Sequence, residues 1–400
     1  MTTTPDRPYV NVLDPAFYVD PWDAYRWLRD EAPVFWDPVQ QTWVVTRHED
    51  VVAVEKDNAR YSSFAGSRPH LDQRSNRSMI NLDEPDHQRQ RNLVARRFTP
   101  RAVRTHEDRV RDRVTGIIDD VQSLGECEAI EAIASRLPAM MICDFLGYPD
   151  EWWPKAREWS ERTMHDAGQT SPLGPQDTDA AGAITTGLSD VVAEFTALTL
   201  EVIQERMVEP RDDLISVWLH SEGFDVGKVI EETILVLDGG AETTRTVIGS
   251  IIRELALHPD QRRLLAAEPE RLGTTAVEEF IRWVSPILNM RRTVTEDHDL
   301  HGQRLRTGEE VLLLYPAANR DPRAFDRPDD FDVTREHNRH VAFGFGTHFC
   351  LGASLARLEL RVMFEELLRR IPDWELVDPD EPQIVPATFA RAYDRIRIRW

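Results

Sequence analysis

The sequence predicts a mainly α-helical fold with small β-sheets, formed as one large domain over residues 1–400. Three observations predict it. Apolar residues recur at three- and four-residue spacing through most of the chain. Alternating, strand-like runs are few and short. No Gly/Ser linker, internal repeat or low-complexity tract divides the 400 residues.

Pro21 to Ala32 reads as a first helix, with proline near its start. Val34 to Trp36 and Trp43 to Thr46 read as a short hairpin, and 61–83 as a long polar loop. His87 to Phe98, Pro100 to Leu124 and Ile130 to Leu146 are helical runs separated by turn residues. Gly168 to Pro175 reads as a loop between helices. Residues 179–208 form a long amphipathic segment, and 226–258 another that is very apolar in its first half. Thr274 to Val284 is a shorter helix, and Arg304 to Leu314 is strand-like. Leu351 to Ile371 carries apolar rows on two faces, so that helix is expected to be buried.

A formal net charge of −22 argues against nucleic acid or an anionic membrane as partner. Three cysteines, none in a C-x-x-C pair, exclude a disulfide framework and a four-cysteine zinc or iron–sulfur site. The N-terminus lacks the apolar core of a signal peptide or membrane anchor, so a cytoplasmic protein is expected.

The strongest chemical signal is Phe343-Gly-Phe-Gly346-Thr-His-Phe-Cys350-Leu-Gly352. Its glycines allow tight turning and close approach to a flat group. Cys350 directly precedes the buried helix, whose start favours thiolate over thiol. A thiolate beside a glycine-lined slot suits an axial iron ligand. Cys127 and Cys143, within helical patterns, read as small buried hydrophobes. Gly344-Phe-Gly346 lacks the third glycine of a dinucleotide loop, and a zinc site has only His348 nearby.

The spacing Phe343-x-x-Gly346-x-x-x-Cys350-x-Gly352 resembles the haem-ligand signature of cytochrome P450 monooxygenases. The resemblance implies that family's fold. Haem b would lie between a distal, oxygen-activating helix and the cysteine loop and its helix, with Cys350 as the metal ligand and Phe343 and Gly346 beside the cofactor.

Within the apolar helix stands Leu237-Asp-Gly239-Gly240-Ala-Glu242-Thr243-Thr244. Two mid-helix glycines cost roughly 2 kcal/mol relative to alanines, which calls for a reason. They open the helix toward a neighbour, and a threonine hydroxyl bonds into the loosened ladder. The resemblance makes Thr243 the alcohol and Glu242 the acid of a proton-delivery pair, with Glu242 relaying to solvent. Asp238 stands where the family usually has an apolar residue. It either meets a polar or cationic substrate group or pairs with an arginine of another helix.

Glu279 and Arg282, at i and i+3, match the family's Glu-x-x-Arg scaffold, with Arg320 to Phe331 as companion segment. His87 and Arg91 share a helix face, and with Arg292 and His340 they are the expected partners of the haem propionates. Arg291 competes with Arg292 for that role. Ile80, Leu235, Asp238, Ile287, Leu288, Met290 and Phe389 are the expected substrate contacts, which implies a hydrophobic small molecule. The cluster Arg89, Arg91, Arg96 and Arg97 suits an acidic electron donor. The family's usual donor is a ferredoxin with its ferredoxin reductase. The wording of the C-terminal half is similar to actinobacterial sterol side-chain hydroxylases. Tailoring of a macrolide, terpenoid or other secondary metabolite is the alternative within the class. A peroxygenase or a non-catalytic haem sensor is the alternative outside it.

Overall fold

The computed structural model describes residues 7–69, 71–165, 178–380 and 384–400. Helix α1 (Trp22–Glu31) follows Pro21 and buries Ala24, Tyr25 and Leu28. Strands β1 (Val34–Asp37) and β2 (Thr42–Val45) form the expected hairpin, with Val34 opposite Val45. Next come α2 (His48–Lys56), β3 (Tyr61–Ser62) and a mostly irregular segment up to α3 (Asp86–Ala95).

The helix expected from Pro100 to Leu124 is two, α4 (Pro100–Arg104) and α5 (Glu107–Gln122). Thr105 Oγ1 donates to the Ala102 carbonyl at 2.6 Å and competes with the helical ladder there. After β4 (Glu126–Glu128), Ile130–Ala134 is a wide π turn, and only Arg136–Leu146 is α-helix (α6). Pro138 has no N–H to give to the Ala134 carbonyl. Instead the Ser135 N–H and Oγ both donate to the Ile130 carbonyl, at 2.9 and 2.8 Å.

Helices α7 (Trp153–His165) and α8 (Thr178–Val208) follow. The loop expected over 168–175 lies outside the described residues. After α9 (Leu214–Leu219), helix α10 (Val226–Leu257) runs through the protein with Asp225 as its cap, Oδ1 accepting the Lys228 N–H at 2.8 Å. Then come α11 (Pro259–Ala267), α12 (Ala276–Val284), β5 (Asn289–Val294) and β6 (His298–Leu300). The strand expected from Arg304 to Leu314 is split into β7 (Gln303–Leu305) and β8 (Glu310–Leu314) by a turn in which Gly308 has φ +90°. The chain ends with α13 (Tyr315–Ala318), α14 (Ala353–Arg370), β9 (Glu375–Leu376) and β10 (Arg397–Arg399).

One sheet has the order β1-β2-β8-β5-β3, with β2 and β8 parallel and the other pairs antiparallel. The order β4-β10-β9 makes a second sheet, and β6-β7 a small hairpin. Helix α10 packs on α6, α7, α12 and α14, so the residues of these helices meet at one core. As expected, α14 is buried on two faces, by Leu355 and Leu358 on one and Leu360, Phe364 and Leu367 on the other.

The Glu279–Arg282 pair is fully buried, with Nε to Oε2 at 2.7 Å. Glu279 also accepts from Arg335 Nε at 3.1 Å and from the Asp332 N–H at 2.9 Å. Arg282 donates to the carbonyls of Asn319 and Pro328, both at 2.8 Å. Two charges thereby tie α12 to the long segment that leads to Cys350.

Candidate functional site

Cys350 closes a tight loop, its N–H donating to the Phe343 carbonyl at 2.8 Å. Gly346 has φ +69°, and a Cβ there would stand 2.4 Å from the Glu55 carbonyl oxygen. Its glycine character therefore serves contact with the end of α2, and Gly346 is not among the residues lining the cavity described next. Phe343, Gly344, Cys350 and Gly352 do line that cavity, of about 490 Å³, between the loop and α10. Burial pushes the Cys350 thiol up, while the N–H groups of Gly352 and Ala353 and the cations Arg91 and Arg357 pull it down. The start of α14 thus acts in the expected direction, but burial outweighs it. A metal ion deprotonates a coordinating thiol outright.

Beside Cys350 the cavity wall is basic. His87, Arg91, Arg292 and His348 all line it. The rings of His87 and His348 lie 4.1 Å apart. His87 Nδ1 meets Glu84 Oε1 at 2.9 Å, while its buried Nε2 has no partner among the described residues. Arg91 donates to the Phe349 carbonyl at 2.5 Å. Burial, with Arg292, His87 and Arg91 around it, drives His348 down to about 2. Two arginines and two imidazoles converging on a cavity, one with an orphaned ring nitrogen, fit as donors to the carboxylates of a haem whose iron would face Cys350, although Arg292 also lies 3.4 Å from the buried Glu55.

His340 is placed elsewhere. Its Nε2 meets Glu278 at 3.2 Å, outside the cavity lining, and its Nδ1 accepts the Ala342 N–H at 3.3 Å. His348, two residues before Cys350, occupies the position expected of His340. Arg291 is held by the Gly66 carbonyl at 3.0 Å and by Glu310 at 2.7 Å, and Arg292 is the arginine that lines the cavity. The arginine cluster also divides. Arg89 pairs with Asp86 at 2.9 Å and Arg97 with Asp212 at 2.6 Å, while Arg91 turns inward.

On α10, Gly239, Gly240, Thr243 and Thr244 line the opposite wall. Thr243 Oγ1 donates to the Gly239 carbonyl at 2.8 Å. A Cβ on Gly240 would lie 2.1 Å from Ile142 Cδ1, whereas one on Gly239 would meet nothing within 4 Å. One glycine admits α6, and the other leaves the cavity open. Glu242 does not reach solvent directly. It is 1% exposed and accepts from Arg245 at 2.7 Å, and Arg245 lies 3.5 Å from Glu161, which is 39% exposed.

Ile80, Leu235, Asp238, Ile287, Met290 and Phe389 line the cavity. Leu288 does not. The chain is extended there, so neighbouring side chains take opposite sides, and Leu288 packs under the sheet with Phe35, Leu312 and Leu314. Asp238 lies 3.8 Å from Arg68 and 2.5 Å from Thr163 Oγ1. The arginine near it therefore comes from the 61–83 loop and not from a helix. Burial pushes Asp238 up to about 7, against Arg68 and Thr163. Sequence reasoning missed Arg68, His348 and Glu359, all of which line the cavity. Only His348 carried a signal, its place in the cysteine loop.

Comparison with known proteins agrees with this architecture. The cytochrome P450 family model matches residues 178–392. A steroid C26-monooxygenase of Mycolicibacterium smegmatis is 39% identical over 395 residues, covering 97% of this chain and 95% of the relative. A methyl-branched lipid omega-hydroxylase of Mycobacterium bovis is 33% identical, covering 94% and 90%. A Mycobacterium marinum cytochrome P450 solved in complex with pseudoionone superposes with a TM-score of 0.88 at 31% identity, covering 99% and 100%. The chain belongs to the cytochrome P450 family. Membership brings a haem-thiolate cofactor and monooxygenase activity with it. Among the described residues, no helix is long and apolar enough to cross a membrane.

Proposed function

We propose that residues 1–400 form one catalytic unit that hydroxylates a sterol, steroid or related lipid, using dioxygen and two electrons from an external ferredoxin and its reductase. The observation that carries this reading is the cavity itself. The Cys350 thiol lies at one side of it with His87, Arg91, Arg292 and His348, the Gly239–Thr244 stretch of α10 at another, and a mainly apolar set of side chains around the rest. Relatives that share most of this chain's length include ones named for steroid and branched-lipid oxidation.

In this reading haem b, held by the Cys350 thiolate, supplies the redox centre at which dioxygen is activated. His87, Arg91, Arg292 and His348 would hold its carboxylates. Thr243 keeps its hydroxyl in the cavity wall with the proton donated to the Gly239 carbonyl, so it would pass a proton only by exchanging that bond, and Glu242, Arg245 and Glu161 form a charged line from α10 toward solvent. Ile287, Met290 and Phe389 exclude water around the substrate.

The test has two parts. Cys350→Ser abolishes the long-wavelength absorption of the reduced carbon-monoxide complex. Wild-type protein converts a steroid with ferredoxin, reductase, NAD(P)H and dioxygen. Product from peroxide alone, with none from the reductase system, would overturn the monooxygenase reading.

A further inference from the structure

Away from Cys350 the cavity is lined by apolar residues such as Ile287, Met290 and Phe389 and by a few polar ones, among them Arg68. Arg68 enters from the 61–83 loop, donating to the Thr163 carbonyl at 3.1 Å and contacting Met164 Sδ at 3.4 Å. Its guanidinium lies over the ring of Phe389, 4.5 Å from the centroid. Asp238 is the nearest carboxyl among the described residues, yet at 3.8 Å the pair is too long for a hydrogen bond.

Asp238 turns its hydrogen bond elsewhere. The Thr163 hydroxyl, 2.8 Å from the Trp159 carbonyl, donates to Asp238 Oδ1 at 2.5 Å. Burial raises Asp238 to about 7, so at neutral pH it is only a partial counter-charge for Arg68.

We propose that Arg68 is the specificity-determining residue of this cavity and recognises a carboxylate on an otherwise apolar substrate. A buried cation is costly without a counter-charge, and a planar guanidinium matches a carboxylate with two parallel hydrogen bonds. The proposal rests on the lipid-oxidising reading above and narrows it to acid-bearing lipids.

The experiment is calorimetric titration of the haem-loaded protein with two matched pairs. They are hexadecanoic acid against methyl hexadecanoate, and a steroid carboxylic acid against its methyl ester. The acid of at least one pair should bind about tenfold or more tightly than its ester, as a charge-assisted hydrogen bond implies. Asp238→Asn, which removes the competing carboxyl beside Arg68, should keep or strengthen that preference. Arg68→Met should remove it, and Arg68→Lys should restore part of it. Equal affinity of acid and ester in both pairs overturns the proposal. So does an acid preference that survives Arg68→Met, or one that vanishes in Asp238→Asn. Calorimetry does not read the carbon-monoxide spectrum or turnover, so failure of the monooxygenase reading would show separately.

Discussion

Single residues decide which groups face the cavity, and here the sequence was least legible. His340 and His348 flank the same glycine loop, and no period governs a loop, so nothing local says which imidazole turns inward. Glu359 is a second case. It sits on an apolar helix, lines the cavity, is 2% exposed, and its Oε2 has no partner among the described residues. Burial alone pushes it up to about 8, from 4.5. Between those two values the folded protein holds a proton that the unfolded chain releases, so stability falls as pH rises from about 4.5 to 8. At roughly 1.4 kcal/mol per unit, the loss amounts to a few kcal/mol. Glu359→Gln should remove it. Urea unfolding at pH 5 and pH 8 should show the variant gaining on wild type only at the higher pH. An equal gain at both pH values would mean that Glu359 is already ionised in the fold.

Elements with a sustained period were legible almost to the residue. The run expected over 226–258 is α10, Val226–Leu257, because an apolar core on several sides repeats its demand at every turn. Shorter runs broke where one side chain or a turn overrode the period, at Thr105 and at Gly308. The two glycines of α10 were legible as a pair, but their division of labour was not. Gly240→Ala sets a methyl against Ile142, so it should destabilise the protein although alanine favours helix. Overpacking costs about 1–3 kcal/mol, and the propensity gain is about 1 kcal/mol. Combining it with Ile142→Ala should recover part of the loss, with a coupling of about 0.5–3 kcal/mol in a double-mutant cycle. Gly239→Ala meets no neighbouring atom and should stabilise by up to about 1 kcal/mol. The same methyl projects into the cavity, so the substrate-induced shift of the haem band should weaken. If both variants changed stability alike, the packing role assigned to Gly240 would be wrong.

For the molecule as a whole, what matters is how distant segments are held to one cavity, and the clearest joint is a charge network. The Glu-x-x-Arg spacing made a buried scaffold legible, but Arg335, outside the expected companion segment, was not. Glu279 stands between two guanidiniums, Arg282 at 2.7 Å and Arg335 at 3.1 Å, and all three side chains are buried. One carboxylate therefore faces two cations, and the three substitutions are not equivalent. Glu279→Gln leaves both arginines without their shared counter-charge, whereas Arg335→Gln leaves the Glu279–Arg282 pair intact. Removing one partner of a buried pair costs about 3–5 kcal/mol, so Glu279→Gln should reach or exceed that range and Arg335→Gln should stay below it. Arg282→Gln should fall between them in charge terms, yet it also releases the carbonyls of Asn319 and Pro328 that lead toward the cysteine loop. Haem retention separates the two effects. If the network acts only through stability, haem content will follow the unfolding midpoint across all three variants. If Arg282 also holds the approach to Cys350, its variant will lose more haem than its midpoint predicts, and the Glu279 variant will not.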